Sequence, residues 1–238
     1  MKISGSVAFV TGANRGLGLA FARALLERGA AKVYAGARDP AQVRLPGVVP
    51  VKLDVTSDAD ATAAARQAGD VTLLINNAGI AKFGAFMDDG AIEAAREHFE
   101  VNVVGPIRVA RAFAPVLAKN GGGAIVNVLS VASWINSPLL ATYGASKAAA
   151  WGFTNGLRIE LEGQGTQVLG VHAGFIDTDM TRDVTAPKST PESIVRETLD
   201  ALERGERQVL ADDLTRQVHR GLTAERPVYL GALSGPAA

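Results

Sequence analysis

The chain has 238 residues, and its 24 Lys and Arg balance 24 Asp and Glu to a formal net charge of zero. That length suits one large α/β domain with a sizeable core. A neutral chain gives no electrostatic reason to expect nucleic acid as a partner. Because there is no cysteine, disulfides, thiolate chemistry and cysteine-ligated metals are excluded, and the three histidines lie too far apart in sequence to suggest a metal site.

Neither a secretory signal nor a membrane span is predicted. The first residues lead directly into a strand-like segment, without the apolar core of a signal sequence. No apolar run reaches the ~18 residues of a membrane span. We therefore predict a cytoplasmic protein with no membrane partner.

The first predicted strand leads into a glycine-rich turn. Residues 6–10 are an apolar run, residues 11–18 read Thr-Gly-Ala-Asn-Arg-Gly-Leu-Gly, and a helical pattern follows to residue 28. Glycines let the backbone approach a pyrophosphate, and a helix N-terminus offers free N–H groups to it. The spacing is GxxxGxG rather than GxGxxG, but its position between strand and helix predicts a nucleotide site. The candidate residues of this site are Gly12, Asn14, Arg15, Gly16, Leu17 and Gly18.

The end of the second predicted strand, residues 32–36, indicates which nucleotide is bound. NAD sites usually place a carboxylate here for the ribose 2′-OH, but Gly36 and Ala37 are followed by Arg38. An arginine can pair with a 2′-phosphate in bidentate fashion, and Arg15 can help from the other side. Asp39 could be a displaced ribose ligand, but we expect it to cap its own turn. The sequence favours NADP (NADPH) over NAD.

Further strands are predicted at 48–53, 71–75, 124–128, 167–172 and 208–211, separated by helical patterns at 57–68, 90–120, from the Tyr143 region to 162, and 191–204. This alternation predicts an α/β fold: a single doubly wound, parallel-sheet (Rossmann-type) domain of about seven strands with helices on both faces. We expect one domain over 1–238, with 213–238 as an irregular C-terminal extension.

Polar residues follow several predicted strands, at the sheet edge where such folds bind ligands. Asp54 could accept from an adenine amino group or cap its own loop. Asn76-Asn77-Ala78-Gly79 forms a polar turn, and Ser130 ends the fifth strand. Asn102 lies inside the helical pattern that Gly105-Pro106 and Pro115 disturb, so it faces solvent or has a specific function.

Tyr143 and Lys147 are four residues apart in a helical segment and therefore lie on one face. A nearby ammonium favours the phenolate and lowers the pKa of a tyrosine from about 10. Such a tyrosine can act as a general acid or base. The pair is weak evidence alone, since Tyr143 could equally pack in a core while Lys147 is solvated.

Together these motifs resemble the short-chain dehydrogenase/reductase family over residues 5–212. The resemblance implies that Tyr143 is the general acid/base and that Lys147 lowers its pKa and holds the nicotinamide ribose. Ser130 would hydrogen-bond the substrate oxygen, with Ser133 as its competitor for that role, and Asn102 would hold a water connected to Lys147. The implied cofactor residues beyond the glycine turn and Arg38 are Asp54, Val55, Asn77, Ala78, Gly79, Tyr143, Lys147, Gly174, Ile176 and Thr178.

Two departures from the family pattern are visible. Ala173-Gly174 stands where the family usually has Pro-Gly, which loosens the loop expected to hold the nicotinamide. The Asp-Gly-Gly-like C-terminal sequence of tetrameric members is missing near Asp212 and Asp213. A homodimer through helices around 91–119 and 143–162 is expected, and a tetramer is doubtful.

The predicted activity is NADPH-dependent interconversion of a ketone or aldehyde and an alcohol, as in a carbonyl reductase for a small apolar substrate. The segment 177–188 is expected to cover the pocket, and Phe175, Met180 and Trp134 are candidate lining residues or ordinary core. The alternative is a non-catalytic NADP(H)-binding, redox-sensing protein. An epimerase or dehydratase of the related extended type would need a larger C-terminal region.

Overall fold

The computed structural model describes residues 1–231, so the predicted extension from 232 to 238 lies outside the described residues. Its seven strands are β1 (Val7–Thr11), β2 (Lys32–Ala37), β3 (Val49–Lys52), β4 (Leu73–Asn76), β5 (Gly123–Val128), β6 (Thr166–His172) and β7 (Gln208–Leu210). The α-helices are α1 (Gly16–Glu27), α2 (Asp58–Gln67), α3 (Ala91–Phe99), α4 (Gly105–Lys119), α5 (Ala141–Glu160), α6 (Pro191–Glu203) and α7 (Asp213–Gly221).

All strands pair in parallel, in the order β3-β2-β1-β4-β5-β6-β7. Successive strand residues point to opposite faces, so each strand feeds two cores. In β1, Ala8 and Val10 pack with α1 and α6, whereas Phe9 packs with α2, α4 and α5 on the other face. The predicted doubly wound sheet with helices on both faces is confirmed.

The strand order reverses beside β1, because β2 and β3 lie on one side of it and β4 to β7 on the other. Ligands of such sheets bind at this switch point, outside the carboxyl ends of the strands. Thr11, Asn76 and Val128 end β1, β4 and β5 at that edge. The polar turns singled out in the sequence therefore follow neighbouring strands.

The helical pattern at 90–120 is two helices joined by a π-helical turn, Glu100–Val104. The whole run Ala91–Lys119 is long and apolar enough to pass a length-and-composition test for a membrane span. Its residues Val109, Phe113 and Leu117 are buried against the sheet, as in the core helix of a globular fold.

The prediction of an irregular segment from residue 213 is wrong for its first part. Asp213–Gly221 forms α7, capped by Asp212, whose carboxylate accepts from the Thr215 amide at 2.8 Å. The helix packs by Val218, which is 3% exposed, against Val131 and Ile135. A nine-residue segment with two apolar positions gave little periodic signal, and its helical form depends on this tertiary contact.

Candidate functional site

The glycine turn after β1 has the geometry of a phosphate cradle. Gly12 and Gly16 have φ of +67° and +52°, values that favour glycine. A Cβ on Gly18 would lie 2.2 Å from the Gly12 carbonyl oxygen, so only glycine permits this close approach. The first turn of α1 carries no acidic side chain and its N-cap, Arg15, makes no side-chain capping bond. Free N–H groups at this helix start can therefore donate hydrogen bonds to a bound anion.

Asn77 holds the glycine turn to the neighbouring strand end. Its amide nitrogen donates to the carbonyls of Thr11 and Gly12 at 2.9 and 3.4 Å. In return, Thr11 Oγ1 accepts from the backbone N–H groups of Asn77 and Ala78, both at 2.9 Å. Asn77, which was expected to contact a ribose, thus holds the glycine turn in place in this structure. Ala78 and Gly79 line the cleft beside it.

The residues after β2 and β3 have two different roles: Asp39 and Asp54 hydrogen-bond their own loops, whereas Arg38 is exposed in the cleft. Asp39 caps its own turn, accepting from the Ala41 amide at 3.0 Å, so that prediction is confirmed. Arg38 is exposed and lines the cleft. Asp54 bonds the amide and hydroxyl of Thr56 at 2.9 and 2.7 Å, and these two bonds lower the pKa of its carboxyl. The structure therefore shows the loop cap, made by one oxygen of Asp54, and the contact with an adenine amino group stays a prediction.

Arg15 and Asn14 are tied to surrounding segments. Arg15 forms an exposed ion pair, 3.5 Å long, with Asp179 in the loop after β6. Asn14 donates to Gln42 at 3.3 Å. Leu17 is buried in the core beneath the turn, and Val55 packs 3.0 Å from where a Gly105 Cβ would lie. Both also line the cleft.

Ser130 stands at the carboxyl end of β5 as the cap of a 3₁₀ turn, Val131–Ser133. Its hydroxyl accepts from the Ala132 amide at 3.1 Å, donates to the Ala173 carbonyl at 3.5 Å, and lies near enough to Tyr143 to lower the pKa of that phenol. Ser133 instead turns back to the Ser130 amide, at 3.4 Å. The geometry therefore favours Ser130 over Ser133 as the serine that faces the tyrosine.

Tyr143 and Lys147 lie on the face of α5 that meets the cleft, with the ammonium 5.8 Å from the ring centre. A lowering of the Tyr143 pKa by Lys147 stays a prediction for the cofactor-bound enzyme. Loss of solvent raises the pKa of Tyr143 to about 12, and the nearby Ser130 hydroxyl offsets only part of that rise. Burial also lowers the pKa of Lys147 to about 8, although its ammonium donates to the Val128 carbonyl at 2.9 Å. Loss of hydration outweighs the proximity of the pair.

Asn102 occupies the π-helical turn and is 2% exposed. Its amide accepts from the Ile80 N–H at 2.9 Å and donates to the Ile80 carbonyl at 3.0 Å and to Ser146 Oγ at 3.1 Å. It therefore fixes the loop after β4 against α5. A small cavity beneath is lined by Asn102 and Lys147 together with Asn76 and Asn127, a polar setting that suits a bound water.

The loop after β6 closes the cleft from the opposite side. Gly174 and Ile176 line it, and Thr178 lies against the glycine turn, its methyl 3.4 Å from where a Gly16 Cβ would be. The two ends of segment 177–188 lie side by side, because the Asp177 backbone amide donates to the Ser189 carbonyl and the Ser189 amide to the Phe175 carbonyl, both at 2.9 Å.

These elements surround a cleft of about 580 Å³. One half is polar, from the glycine turn to Asp54, and the other is apolar around Tyr143. Phe175 and Met180 line the apolar half as proposed. Trp134 does not, because it turns away and stacks on His172, with ring centres 3.9 Å apart. The glycine cradle, the open helix start and the exposed Arg38 together fit a dinucleotide.

Three site residues escaped sequence reasoning. His98 is fully buried, accepts from the Lys82 amide at 2.9 Å and meets the Tyr143 ring edge-on, with centres 5.9 Å apart. Asp212 accepts from the Gly174 amide, and Leu214 lines the cleft. No local pattern marks any of them, since each reaches the site through tertiary packing.

Comparison with known proteins agrees with this geometry. Residues 6–189 match the family model described as short chain dehydrogenase. A crystal structure of a short chain dehydrogenase from Burkholderia cenocepacia in complex with NADP is 45% identical and superimposes with a TM-score of 0.91, covering 95% of this chain and 96% of that one. A Burkholderia phymatum short chain dehydrogenase/reductase in complex with NAD is 25% identical, with a TM-score of 0.82 over 100% and 99% of the two chains.

A curated relative, the short chain dehydrogenase tazN of Aspergillus terreus, is 36% identical over 76% of this chain. The alignment spans only 43% of that relative's length. The family model covers well over half of the chain, and the strand order, glycine cradle and Ser-Tyr-Lys arrangement agree with it. The chain therefore belongs to the short-chain dehydrogenase/reductase family.

Proposed function

We propose that this protein is an NADP(H)-dependent oxidoreductase that interconverts a ketone or aldehyde and an alcohol, working as a carbonyl reductase on a small apolar substrate. The observation that carries the proposal is the convergence of Ser130, Tyr143 and Lys147 on one cleft, beside a cradle that fits a dinucleotide.

The chemistry divides between cofactor and protein. Bound NADPH supplies the hydride. Tyr143 is protonated at neutral pH, since its pKa of about 10 is raised further by burial, and it donates its phenolic proton to the carbonyl oxygen. Ser130 hydrogen-bonds the same oxygen and stabilises its developing charge, and the Lys147 ammonium stabilises the phenolate left behind. Proton transfer of this kind typically contributes about 10²–10⁴-fold.

The preference for NADP rests on Arg38. Arg38 is exposed at the end of β2. The carboxylate next to it, that of Asp39, bonds its own turn and therefore does not compete with Arg38 for the 2′ position of the ribose. Arg15 contributes less, because Asp179 already neutralises it. The NADP complex of the Burkholderia cenocepacia protein supports this choice, and the NAD complex of the Burkholderia phymatum protein makes it one to test.

Calorimetric titration with NADPH and NADH is the first experiment. We expect NADPH to bind at least tenfold more tightly, as a bidentate charged pair allows. Arg38→Ala should abolish that difference, and the exposed neighbour Arg44→Ala should keep it. Equal binding of NADH to the wild type would contradict the NADP assignment.

The substrate side of the cleft favours neutral, apolar carbonyl compounds. Its lining around Tyr143 includes Phe83, Leu139, Phe175 and Met180, all apolar. Tyr143→Phe should abolish turnover of such compounds and leave NADPH binding intact. Retained turnover would refute the role of Tyr143. Binding of NADPH with no turnover of any carbonyl by the wild type would favour the redox-sensing alternative.

We also propose a cytoplasmic homodimer. Large apolar side chains are exposed on α3, on the π-helical turn after it and on α5, in the region expected at the interface: Ile92, Phe99, Val104, Trp151 and Ile159. Ile159 is 77% exposed and lies near the end of α5. Sedimentation velocity should give twice the chain mass, and Ile159→Lys should shift it towards the monomer. A monomeric wild type would contradict the dimer.

A further inference from the structure

We propose that α7 forms the substrate-side wall of the cleft, with Asp212 as a positioning residue for the Gly174 loop and Leu214 as a specificity-determining residue that contacts the substrate. This inference rests on the proposed function. It assigns a role to a part of the chain beyond residues 6–189, which match the family model.

Asp212 joins the start of α7 to the loop after β6. One carboxylate oxygen accepts from the Thr215 amide at 2.8 Å and caps the helix, and the other accepts from the Gly174 amide at 2.6 Å. Ala173 precedes Gly174 where a proline would restrict the backbone. In this chain the carboxylate supplies the missing restraint from outside the loop.

Leu214 lies at the mouth of the cleft. It lines the cavity, is 41% exposed, and its Cδ2 atom is 3.0 Å from where a Cβ on Gly174 would lie. A large apolar side chain exposed beside Phe175 and Met180 continues the apolar half of the cleft. A substrate held near Tyr143 would cover it, and burial of apolar surface favours that contact.

The other end of the same helix is fixed to the turn that carries Ser130. Val218 packs against Val131 and Ile135, which lie within five residues after Ser130 in the chain. His219 contacts Trp134, with ring centres 5.2 Å apart. The helix therefore contacts both the Gly174 loop and the turn that carries Ser130, so its side chains define how far a substrate can extend from Ser130.

Leu214→Ala tests the specificity role. The probes are 2-butanone and 4-phenyl-2-butanone, which share a methyl ketone and differ in bulk. Loss of three carbons from the wall should raise the ratio of kcat/KM for the larger ketone over the smaller by about tenfold, the range expected for small changes in an apolar pocket. Leu230→Ala, a matched change at an exposed leucine that does not line the cleft, should leave the ratio unchanged. An unchanged ratio in Leu214→Ala would overturn this role.

Asp212→Asn tests the positioning role with a readout independent of activity. Asparagine caps a helix as well as aspartate does, but its NH₂ group cannot accept the second backbone bond. Hydrogen–deuterium exchange of the Gly174 amide should become about tenfold faster, with kcat/KM for both ketones about tenfold lower. Asp213→Asn removes the same charge one residue later and should change neither. Wild-type exchange at Gly174 in Asp212→Asn would overturn the role.

Failure of the proposed function gives a different result. If the protein binds NADPH but reduces neither ketone, the exchange rate alone decides the role of Asp212. The ratio of the dissociation constants of the two ketones, measured by calorimetry on the NADP-loaded protein, then decides the role of Leu214. A ratio that Leu214→Ala leaves unchanged would overturn that role here as well.

Discussion

Replacing Lys147 by methionine is expected to stabilise the folded protein near neutral pH while removing its activity. Lys147 is 6% exposed, and its ammonium has left water for a single hydrogen bond to the Val128 carbonyl within the described chain. Burial lowers the pKa of this group from 10.5 to about 8. Below the lower value the folded state carries a charge that its surroundings disfavour.

The sign and size of the expected change in the free energy of unfolding follow from proton linkage. Between about pH 8 and 10.5 the unfolded chain holds a proton on Lys147 that the folded chain has released, so stability rises with pH in that window. Below about pH 8 the folded protein carries the full cost of the buried charge on Lys147, about 3 kcal/mol at 1.36 kcal/mol per pKa unit. Methionine removes the penalty but leaves the Val128 carbonyl without its donor, at a cost of about 1 kcal/mol. The net gain is about 2 kcal/mol near pH 7 and close to zero near pH 10.

Urea unfolding at about pH 7 and about pH 9.5 measures this difference. Staying below about pH 10 avoids the range in which Tyr143, whose pKa burial raises to about 12, would ionise only in the unfolded chain and lower stability. Lys119→Met, at an exposed helix position, is the control and should change stability little at either pH. A loss of stability in Lys147→Met that is the same at both pH values would refute the reasoning, because it would show that Lys147 is not desolvated.

Three other substitutions test the frame of the site by urea unfolding and NADPH titration. Gly18→Ala places a Cβ 2.2 Å from the Gly12 carbonyl oxygen and should cost about 1–3 kcal/mol and abolish NADPH binding; normal binding would contradict the cradle. Gly156→Ala, with nothing within 4 Å, is its matched helical control and should stabilise by about 0.5–1 kcal/mol. Asn102→Leu leaves both polar groups of Ile80 unpaired and should cost about 2–3 kcal/mol and lower kcat; wild-type stability would contradict its anchoring role.

The fold could be predicted because its determinants are local. The strands appear in the sequence as short apolar runs bounded by glycine or polar residues, and Ser57 begins α2 as its cap by accepting from the Asp60 amide at 3.1 Å. The glycine turn was recognisable from its position between β1 and α1, because only that order of elements brings a helix start to a strand end. Each of these signals lies within about fifteen residues of sequence.

The parts that sequence reasoning missed depend on contacts between distant segments. Trp134 could line a pocket or a core, and its stacking on His172 decides the matter. The sequence around Asp212 gives no sign that its carboxylate accepts from the Gly174 amide, which lies 38 positions earlier in the chain. The helix of α7 likewise follows from packing on Val131 rather than from its own propensity. Long-range pairs of this kind leave no periodic signal.

The pKa of Tyr143 shows the same limit and bears on the direction of the reaction. Spacing placed an ammonium near the phenol, but it could not show that Lys147 is buried and Tyr143 half-buried, and this loss of solvent has the larger effect on the two pKa values. A phenol with a pKa of about 12 stays protonated throughout the physiological range, which is the form that reduction consumes. The alkoxide that forms on hydride transfer is a stronger base than a phenolate, so it can still take this proton. Oxidation would instead begin from the phenolate, the form of Tyr143 that burial disfavours.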